Sequence, residues 1–291
     1  GNIIFPGVTA PKLLWVQENK PELFTNIAKV LLPASYLGYY LTGDYFMDMS
    51  DAAGTSWLDV RNRCWSDYAL NAGNMRSNQM PALFEGSQLA SSVSKFIADE
   101  LGIPRGVSVV AGAGDNAAAA CGVGIMQEGQ GFVSLGTSGV ILTARSECNP
   151  LAEAAVHTFC HALPNTWYQM GVILSATNSL NWLSSIIGQS PSQLAAKLND
   201  EIDGPSSEKF YPYLSGERTP LNDAHIRGGF AGLSTNSTAT KLTQAVMEGV
   251  AFALRDCLEA LKKAGPCPEQ LLAIGGGGRS RYWLETIATC L

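Results

Sequence analysis

The chain has 291 residues, 46% of them hydrophobic and 15% charged, with a formal net charge of -6. This composition supplies a full globular core and excludes a disordered chain. No run of lysine or arginine suits a phosphate backbone, and no apolar run approaches the ~20 residues that cross a bilayer, so nucleic acid and membrane are not expected as partners. At roughly 100–200 residues per domain, two domains are expected. Seven cysteines without a CxxC pair read as reduced, mostly buried thiols of a cytoplasmic protein.

Residues 21–43, PELFTNIAKVLLPASYLGYYLTG, predict a helix, a break at Pro33 and a second helix closed by Gly43. DMSDAAGTSWLDV, at 48–60, is rich in small and capping residues and predicts a loop. SSVSKFIADELG predicts a short helix ending at Gly102, and GVSVVAGAG a buried strand running into glycines. GFVSLGTSGVILTAR, at 131–145, predicts strand, tight turn and strand, and YQMGVILSAT a further strand. SLNWLSSIIG predicts a helix ended by Gly188. The clearest helix lies in TKLTQAVMEGVAFALRDCLEALKKAGP, where Leu242, Val246, Val250, Ala253, Cys257 and Leu261 keep one face. Lys262 and Lys263 suit its C-terminal end, and Gly265-Pro266 stop it. QLLAIGGGG predicts a strand and a glycine turn before a last helix. Strands alternating with helices indicate an α/β architecture.

Three loops carry candidate chemistry. In AGAGDNAAAA, Asp115 stands among residues with almost no side chain, at the start of an alanine-rich helix. It fits a helix N-cap, with Asn116 able to take that place, and it equally fits a general base with room for a substrate. In SLGTSG, the backbone at Gly136 and the hydroxyls of Thr137 and Ser138 form either a plain hairpin turn or an anion cradle. In IGGGGRSRYW, Gly276, Gly277 and Gly278 make either a flexible connection or a bare surface for a flat ligand such as a nucleotide base. One base, one anion loop and one bare loop together suit phosphoryl transfer to a hydroxyl. HTFCH, with His157, Cys160 and His161, invites a metal reading but lacks HExxH or a second cysteine pair, so packing is expected there. His225 reads as a solvated loop residue, and GTSGV is not the GxSxG elbow of a serine hydrolase.

At this point the chain resembles a known family. GVTAPKLLWVQEN, at 7–19, fits the first signature of the FGGY carbohydrate kinases at every defined position. GGFAGLSTNSTATKLTQAVME, at 228–248, fits the second and departs from it at Lys241. MSDAAGTSWLDVRNRCWSD, GAGDNAA, HTFCHALP and PYLSGERTP resemble the branch of the family that acts on xylulose. The resemblance implies an actin-like ATPase (ribonuclease H-like) two-domain fold, with mixed sheets flanked by helices and the site in an interdomain cleft. It implies residues 1–122 as part of a sugar-binding domain and 123–291 as part of a nucleotide-binding domain.

It further implies ATP and Mg2+, with the γ-phosphoryl group passing to D-xylulose to give xylulose 5-phosphate. Asp115 matches the family's base, Asn116 a sugar contact, Gly136, Thr137 and Ser138 a phosphate loop, and Gly276, Gly277 and Gly278 the adenosine loop. No residue is assigned to a metal, Glu217 and Arg218 of GERTP carry no assigned role, and a homodimer is left open. The alternatives are a kinase for ribulose or glycerol, or a non-catalytic sugar or nucleotide sensor on the same scaffold. The family's opening DxGT loop has no counterpart in the right context, since DAAGT at 51–55 has an extra residue. The chain therefore reads as part of a longer protein, inactive or nearly so when made alone.

Overall fold

The computed structural model describes residues 2–198, 202 and 204–291. They fall into two compact units, the first comprising the residues up to Gln127 with Ala144–Cys148 and Thr158–Tyr168, the second the remainder.

The first unit opens with α1 (Thr9–Asn19) and α2 (Pro21–Phe24). The helix expected from Pro21 onward stops after one turn. Thr25 Oγ1 and Asn26 Nδ2 both donate back to the Glu22 carbonyl, at 3.2 and 2.8 Å, and compete with the helical ladder. Pro33 does not break a helix but begins one: it is the first residue of α3 (Pro33–Thr42), where a missing N–H costs nothing. Gly43 closes α3 in the left-handed conformation, its φ of 85° being one that a side chain resists. The stretch expected to be a loop instead folds as β1 (Phe46–Asp48), α4 (Met49–Ala53) and β2 (Leu58–Asp59). Its small polar residues are a helix cap, because the Asp48 carboxylate accepts from the N–H groups of Ser50 and Asp51 at 2.9 Å each.

β3 (Cys64–Trp65) pairs antiparallel with β2, and α5 (Asp67–Ala72) follows under a Ser66 cap. Trp57, Leu70, Met75 and Met80 bury the local core with Ala10 and Val30. β4 (Ala82–Phe84) runs parallel to β1. β5 (Leu89–Ser92), α6 (Lys95–Leu101), β6 (Ser108–Val110) and α7 (Asp115–Gly122) complete this segment. The strand expected to be buried, β6, is half of a two-stranded antiparallel pair with β5, and Ser108 and Val110 face solvent. Only Val109 packs inward, on Val93, Ile97 and Ala98, as the period of two requires when one face is covered.

β7 (Gly131–Leu135), β8 (Gly139–Arg145), β9 (His157–Cys160), β10 (Trp167–Ile173) and β13 (Leu272–Ile274) form a five-stranded sheet, most of whose residues belong to the second unit, in the order β13-β7-β8-β10-β9. It is mixed: β13 runs parallel to β7, and β7 antiparallel to β8. α8 (Thr177–Ile187) ends at Gly188, as expected, and α9 (Pro191–Ala195) follows. β11 (Lys209–Tyr211) and β12 (Gly229–Ala231) form a separate antiparallel ribbon. α10 (Ala239–Ala264) is the long amphipathic helix, with Val246, Val250, Ala253, Cys257 and Leu261 buried and Leu242 half-buried. α11 (Arg281–Cys290) packs Trp283 and Ile287 into the same core.

Of the seven cysteines, all free, Cys148, Cys160 and Cys257 are buried, three are half-buried and Cys64 is exposed, so burial is less general than expected. Among the described residues, no helix is long and apolar enough to cross a membrane.

α10 lies against β11 so closely that a Cβ at Gly249 would overlap the Phe210 carbonyl oxygen. Both partners are backbone and cannot rotate away. Gly249→Ala is expected to destabilise the fold by about 1–3 kcal/mol, despite the better helix propensity of alanine. Thermal or denaturant unfolding checks this, and an unchanged midpoint would contradict the packing.

Candidate active site

The turn between β7 and β8 takes its shape from the helix beside it. No side chain caps α8. Its first N–H groups bond instead to carbonyls of the turn. Ala176 N and Asn178 N donate to Thr137 O at 2.9 and 3.2 Å, and Thr177 N donates to Gly136 O at 3.0 Å. The Thr177 hydroxyl adds a bond to Gly136 O at 2.8 Å. A trans peptide sets the N–H opposite the preceding C=O. With the carbonyls of Gly136 and Thr137 drawn toward α8, the N–H groups of Thr137 and Ser138 therefore point away from it. Among the described residues, nothing accepts from these two amides. Thr137 is exposed, so the turn presents free donors to solvent. Free backbone amides at adjacent turn positions are the chemical element of an anion-binding nest.

The second glycine loop comes to the same place. Gly276 to Arg279 form a single 3-10 turn between β13 and α11. Gly275 has φ 91°, and a Cβ there would meet the Leu135 backbone at 2.8 Å. A Cβ at Gly277 would lie 2.8 Å from Leu135 Cβ and 3.1 Å from Thr177 Cγ2. These two glycines are thus required by packing against the root of the β7–β8 turn. Gly276 has open space where a side chain would stand. It borders a cavity of about 730 Å³ whose walls include Thr177, Asn181, Gly277, Arg279 and Ser280. Thr177 ties the two loops together, since it bonds Gly136, abuts Gly277 and lines the cavity. The sequence reading missed Thr177, Asn181 and Arg279, and only the position of Ser280 just before a helix, where it caps α11, was a local signal.

Asp115 lies in the first unit. Neither it nor Asn116 is the N-cap of α7; that place belongs to Gly114, and no side chain caps the helix. Asp115 is the first helical residue and is exposed. Its Oδ1 accepts from the N–H and the Nδ2 of Asn116, at 2.7 and 3.0 Å. Among the described residues, no hydrogen bond reaches its Oδ2. A short relay fixes the turn before it: Gly114 N–H donates to Ser50 Oγ at 2.8 Å, and the Ser50 hydroxyl donates to Asp48 Oδ1.

Asp51, on α4, was not singled out in the sequence. A Cβ on Gly114 would stand 3.5 Å from its Oδ1, which places its carboxyl beside the Asp115 turn. Burial, then the negative charges of Asp48 and Asp115, push its pKa up to about 6. Tyr168 is buried nearby, and its phenol is pushed up by burial and then by Asp115.

His161 Nε2 lies 3.0 Å from the Ile125 carbonyl, and burial lowers its pKa. His157 is buried in β9, and burial followed by the charge of Arg218 lowers it to about 4. His225 is exposed in its loop. Glu217 is buried, and its Oε1 accepts from the N–H groups of Leu174 and Arg218 at 2.9 and 2.7 Å.

An α/β protein of two units, with a mixed sheet flanked by helices and two glycine turns joined through Thr177, is the class these observations define. The chain belongs to the FGGY family of carbohydrate kinases: the model of the N-terminal domain matches residues 1–122 and that of the C-terminal domain residues 131–291. It is 47% identical to the xylulose kinase of Escherichia coli strain K12 over 99% of this chain and 60% of that protein. It is 35% identical to the xylulose kinase of Bacillus subtilis strain 168, covering 98% of this chain and 57% of that one. The crystal structure of a xyloylose kinase from Brucella ovis superposes with a TM-score of 0.96 at 54% identity, over 99% of this chain and 60% of that one. The fold is therefore the actin-like ATPase fold of these kinases, and it extends to a glycerol kinase of Plasmodium falciparum with ADP, at a TM-score of 0.88 and 19% identity over 99% of this chain and 59% of that one. The chain spans about 60% of the length of the E. coli relative.

The raised pKa of Asp51 has a definite sign. Its folded value of about 6 lies above the 3.8 of an ordinary aspartate, so the folded state holds the proton more tightly. The stability this supplies is complete below about pH 4 and is lost as pH rises through about 6. Asp51→Asn removes the titration. Denaturant unfolding should show the variant gaining on the wild type across that window, and parallel curves would contradict the acidic surroundings.

Proposed function

We propose that the full-length protein carrying this chain transfers the γ-phosphoryl group of ATP to a hydroxyl of D-xylulose, giving xylulose 5-phosphate. The observation that carries the transfer is the exposed Asp115 carboxylate, which has one oxygen held by Asn116 and the other without a hydrogen bond among the described residues. The choice of sugar rests on the relatives named xylulose kinase.

Each residue has a part in this reading. Asp115 Oδ2 accepts the proton of the attacking hydroxyl. Asn116 orients Asp115 through its Nδ2 and offers its own carbonyl oxygen to the sugar. The free amides at Thr137 and Ser138, after Gly136, hold phosphate oxygens as charge builds on them. Gly276, with Gly277 and Gly278, leaves the cavity wall bare for adenosine. Residues 1–122 are the sugar-binding part and 123–291 the nucleotide-binding part.

The resemblance also implies Mg2+, which would supply charge neutralisation to the phosphate groups when bound. Among the described residues, no group of three or more His, Cys, Asp or Glu side chains converges as a metal site. These residues do not by themselves fit a resident magnesium cage, and the roles assigned to them involve their own atoms alone.

Steady-state assays of the full-length protein with ATP and a panel of D-xylulose, D-ribulose and glycerol test the reaction. D-Xylulose is expected to have the highest kcat/KM, and a preference for another acceptor would overturn the substrate. Asp115→Asn is expected to lower kcat by about 10²–10⁴-fold while sugar binding stays within a few-fold. A variant with wild-type turnover would remove Asp115 from the chemistry.

A further inference from the structure

Glu217 is 3% exposed, and it sits where a carboxylate is costly. Burial raises its pKa, against the two N–H groups that lower it. Its loop is firmly seated. Glu217 and Asp223 exchange backbone hydrogen bonds at 2.8 and 2.9 Å. Thr219 N donates to Val172 O at 3.0 Å, its Oγ1 accepts from Val172 N at 3.0 Å, and its hydroxyl donates to Ala155 O at 2.9 Å. The loop is thereby fastened to the last residues of β10. From it, Glu217 Oε1 takes the N–H of Leu174, the first residue beyond that strand.

Leu174 begins the segment that carries the phosphate turn. Residues 176–178 hold the carbonyls of Gly136 and Thr137 through four hydrogen bonds, and those carbonyls set the direction of the free amides. The Ser179 and Asn178 side chains bond Ser175, at 3.0 and 3.2 Å, and stiffen the segment between Leu174 and the helix. A displacement at Leu174 therefore reaches Thr137 through contiguous hydrogen bonds.

We propose that Glu217 is a positioning residue for the phosphate turn: its Oε1 fixes the N–H of Leu174 and so sets the height of the 174–178 segment from which Gly136 and Thr137 hang. This rests on the reading of that turn as the phosphate site. It assigns a role to the Glu of GERTP that packing alone does not, because an apolar side chain of equal size would fill the same space without ordering Leu174.

The test compares Glu217→Gln, Glu217→Asp and Glu217→Met in the full-length protein, with ATP affinity by direct titration and KM for each substrate where turnover is measurable. Gln keeps an acceptor at the right reach and is expected to hold ATP affinity within about threefold. Asp falls short by one methylene and Met offers no acceptor; both are expected to weaken ATP binding about tenfold, with the sugar KM within twofold. If Met does not fold, the contrast of Gln with Asp decides. Equal ATP affinity in all folded variants, with only the melting temperature lowered, would show a purely structural role and overturn the proposal. So would equal shifts in ATP and sugar KM. A wild type that binds ATP yet phosphorylates none of the sugars counts against the proposed reaction, while the titration still decides Glu217. A wild type that binds no ATP overturns both.

Discussion

The second unit depends on hydrogen bonds that run against the usual sense of a helix N-terminus. Exposed amides at that end of a helix ordinarily attract an anion. In α8 they are taken by the carbonyls of Gly136 and Thr137, and the outward donors become the amides of the turn itself. The helix dipole then acts through two peptide groups instead of directly. Each of those peptides accepts at its carbonyl and is polarised for donation at its N–H. The glycine loop after β13 can approach only because Gly275 and Gly277 offer no side chain to Leu135 and Thr177.

The first unit solves a different problem, which is to hold a carboxylate exposed while its neighbours are acidic. Asp48 is spent on capping α4 and on the Ser50 hydroxyl. Ser50 in turn receives the Gly114 N–H, so the strand-to-helix turn before Asp115 is pinned by a group that is itself fully bonded. Asp51 completes the acidic surroundings and holds its proton to about pH 6. The alanines that follow Asp115 serve this arrangement, because Ala117 and Ala120 are buried against the unit while the helix start stays open.

The structure departs from the sequence expectations at a capped helix, at a helix start and at a strand with one covered face. The stretch 48–60 has the composition of a loop, yet Asp48 turns its small residues into a capped helix. Pro33 was read as a break between two helices and is the first residue of the second, because proline at the first helical position loses no bond. β6 has the composition of a buried strand, but only one of its faces found a partner. For Asp115, the local alternatives of cap and base were equally legible, and the choice of Gly114 as cap was not.

The sequence alone determined the long helix, the β7–β8 hairpin, the alternation of strands and helices, and the two signatures that mark the family. Each of these is encoded by near neighbours: spacings of three and four, glycines at a turn, or a contiguous string. Tertiary structure alone decided that Thr177 joins the two glycine loops, that Asp51 lies beside the Asp115 turn, and that Glu217 reaches Leu174. Those contacts join residues from about 40 to about 100 positions apart. No local pattern specifies such a pair, because the bond exists only after the sheet and its helices have been packed.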